Sequence, residues 1–341
     1  MSPASDTVER PSHHRPDGGY RIPWPMPAAE RSAGRAGGLW RWLAERLRHR
    51  PPPTPRPDAI PRREPVPALP RGREDELRLT WVGHATFLVQ HGGLNLLTDP
   101  VWSRRASPFR WVGPKRLSAP GMAFDRLPPI DGVVISHDDY DHLDAPTVRR
   151  VTRAHPAARW YAPLGYRGWL EKRGVREVVE LDWWDEAVLE TEAGRLRLMA
   201  LPAQHWTRRK PWDGYDRLWA AWRIRDDHGS VFFGGDSGYF AGYAEIGRRA
   251  GPFNAALLPI GAYAPRWFMR LAHMDPEEAV RAYRDLGGSG AFVAMHWGTF
   301  RLSDEAPLEP PERLRAAWAA AGLPPADLWI PSLGESRSLV A

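Results

Sequence analysis

The stretch from Gly132 to Asp144, GVVISHDDYDHLD, limits what this chain can fold into more than any other. Val133-Val134-Ile135 predicts a short buried strand that ends at Ser136. His137, Asp139, Asp141 and His142 then fall in one tight turn, and Asp144 with Pro146 opens a helix, Asp144 as its N-cap. A rigid strand thus delivers imidazoles and carboxylates to one point. Holding such a cluster together as bare like charges is costly, and a divalent cation removes that cost. A solvated acidic turn is the alternative, and the ligand-type residues that recur downstream in matching contexts speak against it.

Three later strand ends carry them: His205 after Arg195 to Ala200, Asp236 after Ser230 to Phe233, and His296 after Ala291 to Met295. The chain has no Cys, so disulfides and thiolate sites are excluded. A metal would rest on His and carboxylate, which suits zinc, manganese or iron. No apolar run approaches the roughly 18 residues of a membrane span, and no apolar signal core opens the chain, so a cytoplasmic protein is expected.

The net charge of +6 sits mostly in residues 1–75, which hold 14 Arg against 9 Asp or Glu and 15 of the 36 Pro. The rest is near neutral, so the basic charge does not argue for a nucleic-acid groove through the fold. These residues form a Pro/Arg-rich N-terminal extension, partly ordered on a body of residues 76–341. Met1 to Gly19 is expected to be polar and mobile. Tyr20 to Pro25 reads as a strap packed on the body. Leu39 to Leu47 predicts a short helix with Leu39, Leu43 and Leu47 on one face and Arg on the other. It either docks on the body or faces an anionic membrane. Pro51 to Pro70 is an extended connector.

From Leu77 the chain turns to short β runs: Leu77 to Val82, Phe87 to Val89, and Leu94 to Thr98 after a His91-Gly92-Gly93 turn. A long loop, Val101 to Pro129, carries Arg104, Arg105, Lys115, Arg116, Phe109 and Trp111, and loops of this length are more often functional than idle. Strands at 160–162, 178–181, 195–200, 218–225, 230–233, 255–260 and 291–295 alternate with helices near 144–153, 165–173, 275 onward and 311–321. Strands first, then strands alternating with helices, suit two sheets packed face to face with helices outside, an α/β/β/α sandwich.

The pattern H-x-D-x-D-H, followed at wide intervals by H, D and H, resembles the metallo-β-lactamase fold superfamily. GHATFLVQ, LTDPVWSRRASPFRWVGPKR, SHDDYDHLD, LPAQHW, GGDSGY, IGAYAPRWFM, HMDPEEAV and MHWGTF, in that order over residues 77–305, look like the N-acylphosphatidylethanolamine-hydrolysing phospholipase D family. YRIPWP in the leader is similar to that family's entry segment. The resemblance implies two divalent metal ions, zinc first, with manganese or iron as alternatives. His137, Asp139 and His205 would hold one, Asp141, His142 and His296 the other, and Asp236 would bridge them. It implies hydrolysis of a phospholipid or other phosphodiester by a hydroxide held between the metals, with Asp141 and Asp236 catalytic. His273 would bind substrate or assist proton transfer, or else be a structural His before a helix. His84 would steady a ligand or act directly. Trp206 and Tyr263 flank site motifs as residues for substrate, and Trp212, Trp267 and Trp297 also flank them. His13, His14, His155 and His228 are expected at the surface. Peripheral contact with the inner membrane face and a homodimer are compatible partners; nucleic acid is not.

Position 139 departs from the family, where His is usual. Three aspartates and a hydroxide neutralise two divalent cations, whereas His at 139 would leave one positive charge. A weaker Lewis acid is expected. A metal-dependent lactonase or phosphodiesterase on a soluble substrate is the alternative reading, and a non-catalytic sandwich protein is a third.

Overall fold

The apolar runs after Leu77 become strands, and the chain fills one sheet before starting the next. The computed structural model describes residues 11–24, 36–48, 50–207, 209 and 214–339. β1 (Leu77–Gly83), β2 (Thr86–His91), β3 (Leu94–Thr98), β4 (Gly132–Val134), β5 (Arg159–Pro163) and β6 (Val178–Leu181) lie side by side in that order. β7 (Glu186–Thr191) to β13 (Leu328–Trp329) make the second sheet, through β8 (Gly194–Leu201), β9 (Ala221–Arg225), β10 (Ser230–Phe233), β11 (Ala255–Pro259) and β12 (Ala291–Met295). The last strand, β14 (Ser336–Leu339), crosses back and pairs antiparallel with β1. Each sheet has seven strands.

Successive side chains of a strand point to opposite faces, and here both faces are covered. Trp81, Phe87 and Leu96 pack between the sheets with Leu198, Trp222 and Phe232. Their neighbours Val82, Leu88 and Leu97 turn outward, where they meet Val148 and Val151 of α2 (Ala145–Ala154) and Leu170 of α3 (Arg167–Glu171). Burial on both faces is why these strands read as apolar runs rather than alternating ones. α4 (Gly242–Ala250), α5 (Arg266–Met269), α6 (Pro276–Asp285) and α7 (Glu309–Ala320) accompany the second sheet. The α6 start matches its sequence: Asp275 accepts from the Glu278 N–H at 2.9 Å, with Pro276 in the first turn. Asp144 does precede α2, but its carboxylate takes the Ser103 and Thr147 hydroxyls instead of capping the helix backbone. The result is the α/β/β/α sandwich expected.

The N-terminal segment corrects three expectations. Of Met1 to Gly19, residues 1–10 lie outside the described residues, and within 11–19 the two histidines anchor the segment to the body. His13 is buried, and its Nε2 and that of His14 lie 2.6 and 2.7 Å from the two oxygens of Asp182. His13 also stacks on Trp183. Both were expected at the surface; a carboxylate some 170 positions away draws them in, and no local pattern announces it. Tyr20, Ile22 and Trp24 do form a strap, with Trp24 4.3 Å from Phe240 ring to ring; Pro25 lies outside the described residues. In α1 (Ala36–Arg48) the helix docks through Trp42, which stacks on Phe268 and donates to Asp304, and through Arg41 over Trp267. Leu47 is 87% exposed, so it is not part of the docked face as expected. The Trp42 ring, with both area and a donor, sets the face instead. The side chains of Leu39 and Leu43 lie outside the described residues. No helix among the described residues is long and apolar enough to cross a membrane.

Candidate metal centre

β8, β10 and β12 run in the same direction, so their C-terminal ends open on one rim of the second sheet. His205, Asp236 and His296 follow those ends and meet the turn that follows β4. The Asp236 Oδ2 lies 3.1 Å from Nε2 of both His142 and His296, and 3.8 Å from Nε2 of His137. Asp139 Oδ2 is 3.6 Å from His137 Nε2 and 3.5 Å from His205 Nε2. Asp141 Oδ2 is 3.4 Å from His142 Nε2 and 3.5 Å from His296 Nε2. Two groups result, His137/Asp139/His205 and Asp141/His142/His296, with Asp236 reaching both.

This donor set fits divalent cations. Ligands at ~2.0–2.1 Å from a tetrahedral cation stand about 3.3–3.4 Å apart, and the separations here, 3.1–3.8 Å, bracket that value. The Nε2 atoms of His137, His142, His205 and His296 and the Oδ1 of Asp236 are buried with no hydrogen-bond partner. Orphaned polar atoms of this kind are rare in a folded protein and converge only where something else binds them. Burial alone would raise Asp141 and Asp236, but the imidazoles of His142 and His296 hold both carboxyls well below the usual range. The Asp139 side chain, 26% exposed, marks the open side.

The ring nitrogens facing away from the cluster are all engaged in three of the four imidazoles. His142 donates from Nδ1 to Asp99 Oδ2 at 2.7 Å, and His205 from Nδ1 to the Ala272 carbonyl at 3.0 Å. The Ser136 hydroxyl donates to Asp99 Oδ2 at 2.5 Å and so accepts from His137 Nδ1 at 2.8 Å. Each of these bonds fixes the tautomer that leaves a lone pair on Nε2. Asp99 also accepts from the Ser136 N–H at 2.7 Å and is fully buried. The sequence reading missed Asp99, taking Asp99-Pro100 only as a strand end. Its signal was its place directly after β3, beside β4 in the sheet.

Backbone strain gathers at the same rim. His84, Asp99 and His296 hold φ of 56°, 34° and 61°, sparsely populated for residues with a side chain. Gly235 has φ of 55°, and a Cβ there would stand 2.6 Å from Ser136 Cβ. Gly235→Ala is therefore expected to cost roughly 1–3 kcal/mol in urea unfolding and to push Ser136 off His137. Unchanged stability would show that the turn has room.

The other predicted residues divide. His84 donates from Nε2 to Asp141 Oδ2 at 2.7 Å, and its ring lies 3.9 Å from that of His296. Burial, then His296, push His84 down to about 3, so it is neutral at neutral pH. His273 Nδ1 is buried, unpartnered and 3.8 Å from Asp236 Oδ2. The Trp206 ring stacks on His205 at 5.3 Å. Tyr263 is not brought into the cluster: its hydroxyl donates to Glu309 at 2.7 Å. Trp267 lies under Arg41, Trp297 against Trp81, and Trp212 lies outside the described residues.

The chain is similar to known proteins in sequence and in fold. Residues 94–297 match the model of the Beta-lactamase superfamily domain. N-acyl-phosphatidylethanolamine-hydrolyzing phospholipase D 1 of Caenorhabditis elegans is 39% identical over 71% of this chain and 70% of its own length. The mitochondrial N-acyl-phosphatidylethanolamine-hydrolyzing phospholipase D of Saccharomyces cerevisiae is 32% identical over 70% of this chain, which spans only 52% of that relative. A metallo hydrolase from Ignicoccus hospitalis shares the fold, with a TM-score of 0.59 at 24% identity, over 77% of this chain and 98% of its own.

Proposed function

Since the chain belongs to the β-lactamase superfamily, as a hydrolase in the family of the N-acyl-phosphatidylethanolamine-hydrolyzing phospholipases D, we propose that it cleaves the phosphodiester of N-acylphosphatidylethanolamine-like lipids. The observation that carries the reading is the convergence of four unpartnered Nε2 atoms on one rim, three of them (His137, His142 and His296) on the shared carboxylate Asp236 and the fourth, of His205, on Asp139. In this assignment His137, Asp139 and His205 hold one divalent cation, Asp141, His142 and His296 a second, and Asp236 both. When bound, such a pair acidifies water and draws charge from a phosphoryl oxygen. Zinc is the first choice, with manganese or iron as alternatives.

The chain's own residues do the rest. Asp99, Ser136 and the Ala272 carbonyl keep three imidazoles in the ligating tautomer. His84 fixes one oxygen of Asp141, the carboxylate we assign to orienting the attacking water. His273 presents Nδ1 beside Asp236 and would hold the substrate's phosphoryl oxygen or pass a proton to the leaving group. Trp206 would give an acyl chain an apolar wall. Phe109, Trp111 and Val112 stand 52–76% exposed at the tip of the loop after β3, which supports a cytoplasmic enzyme resting on the inner membrane face.

The test is hydrolysis of N-acylphosphatidylethanolamine in mixed micelles, in ¹⁸O-labelled water. Phosphatidic acid carrying the label and free N-acylethanolamine are the expected products. No turnover of the lipid, with turnover of a water-soluble phosphodiester or lactone, would replace the lipid by a soluble substrate.

Asp139 adds a negative charge where the family has an imidazole. Asp139→His is expected to raise the zinc-to-manganese ratio on competitive reloading, on the order of tenfold, because imidazole suits zinc better than a carboxylate suits it against manganese. Elemental analysis reads it directly, and an unchanged ratio would mean that position 139 does not choose the metal.

A further inference from the structure

Beside the 138–140 turn lies a groove with a volume of about 930 Å³. Tyr140, between the candidate ligands Asp139 and Asp141, forms part of its wall. Arg104, Arg105 and Arg110 reach it from the loop after β3, and Arg149 from α2. Arg173, just past α3, and Arg209 and Arg217, after β8, complete the opposite side. The single carboxylate in the lining, Asp144, is buried and already accepts from Ser103 and Thr147.

Arg217 pairs with Asp138 at 2.7 Å. Among the described residues, none of the other six arginines has a carboxylate within ion-pair distance. The fold nevertheless holds them together. Arg173 and Arg209 both lie over the Trp169 ring, at 3.4 and 4.7 Å, and Arg209 donates to the Asp138 carbonyl at 2.6 Å. The Nε of Arg173 is buried without a partner. Burial, then Arg209, Arg149 and Arg217, push Arg173 down to about 10. Like charges gathered at this density repel, and an anion that enters the groove removes the repulsion.

We propose that this groove binds a phosphate-type polyanion, apart from the phosphodiester at the metal centre and whatever the metal centre cleaves. Guanidinium forks match phosphate oxygens two at a time, which carboxylate-sized monoanions cannot satisfy from several sides. Several unpaired guanidiniums call for at least two negative charges. The volume suits a headgroup-sized ligand, and Trp102 and Phe109 give the groove apolar flanks. A free phosphate compound and the headgroup of an anionic lipid offer the same chemistry.

The experiment follows phenylglyoxal modification of single arginines by mass spectrometry on the metal-loaded full chain. Inorganic pyrophosphate is one probe; phosphatidylcholine vesicles with and without phosphatidic acid are the other. Arg149 and Arg173 are expected to be protected about tenfold, while Arg248 on α4 is not. Protection by pyrophosphate supports a free phosphate compound, and protection only by vesicles containing phosphatidic acid supports the lipid headgroup. Protection by neither overturns the proposal. The protection is expected to persist in Asp236→Ala, and its loss there would assign the anion to the metal centre and overturn the groove. Calorimetry with pyrophosphate on Arg149→Gln gives a second reading: affinity is expected to fall about tenfold, and an unchanged affinity counts against the site.

Discussion

Asp236→Ala is expected to lower kcat/KM for lipid hydrolysis by on the order of 10³-fold or more, and to reduce the bound metal below two per chain. Asp236 lies within 4 Å of three of the candidate ligand imidazoles, reaching His137 on one side and His142 and His296 on the other. Without it the two halves of the centre lose their shared anion. Elemental analysis beside kinetics separates loss of metal from loss of chemistry. A variant that keeps both its metal and its rate would remove the assignment of the centre.

The second large effect is expected from a residue that touches no candidate cation. Asp99→Asn should lower metal affinity by about 10–100-fold, with activity falling in step at limiting metal. Asp99 accepts three hydrogen bonds, from the Ser136 N–H and hydroxyl and from His142 Nδ1. An amide can present only one oxygen, and its NH₂ faces donors. His142 would then turn or change tautomer, and the hold on His137 through Ser136 would slacken. Metal competition with a chromogenic chelator measures the affinity. Excess metal should restore much of the rate in Asp99→Asn but not in Asp236→Ala; equal rescue of both would deny Asp99 a positioning role.

Much of this was legible because the metal-ligand candidates follow apolar strands, at the turns that end them. His205, Asp236 and His296 each stand just past such a run, and the strand directions bring them to one rim. Elements without that contrast were hidden. β7 has only Leu189 buried outright, so EAVLET shows little of a strand's pattern. α4 carries Gly247, because a Cβ there would stand 2.5 Å from the Asp285 carbonyl of α6, and that close approach masks its helical character. Asp99 and the His13–His14–Asp182 cluster were hidden for another reason. Their partners are remote in sequence, and only the folded chain gives them a meaning.

The return of β14 to β1 has a consequence for the molecule as a whole. Thr80 and Ser336, 256 positions apart, join hydroxyl to hydroxyl at 2.7 Å across that seam. The first sheet therefore cannot be completed by the residues that start it, and the second cannot be lost without releasing the strand that finishes the first. Neither layer is an independent folding unit. They gain and lose their order together, as one cooperative body, and the rim they share stays in register because neither sheet can slide away alone.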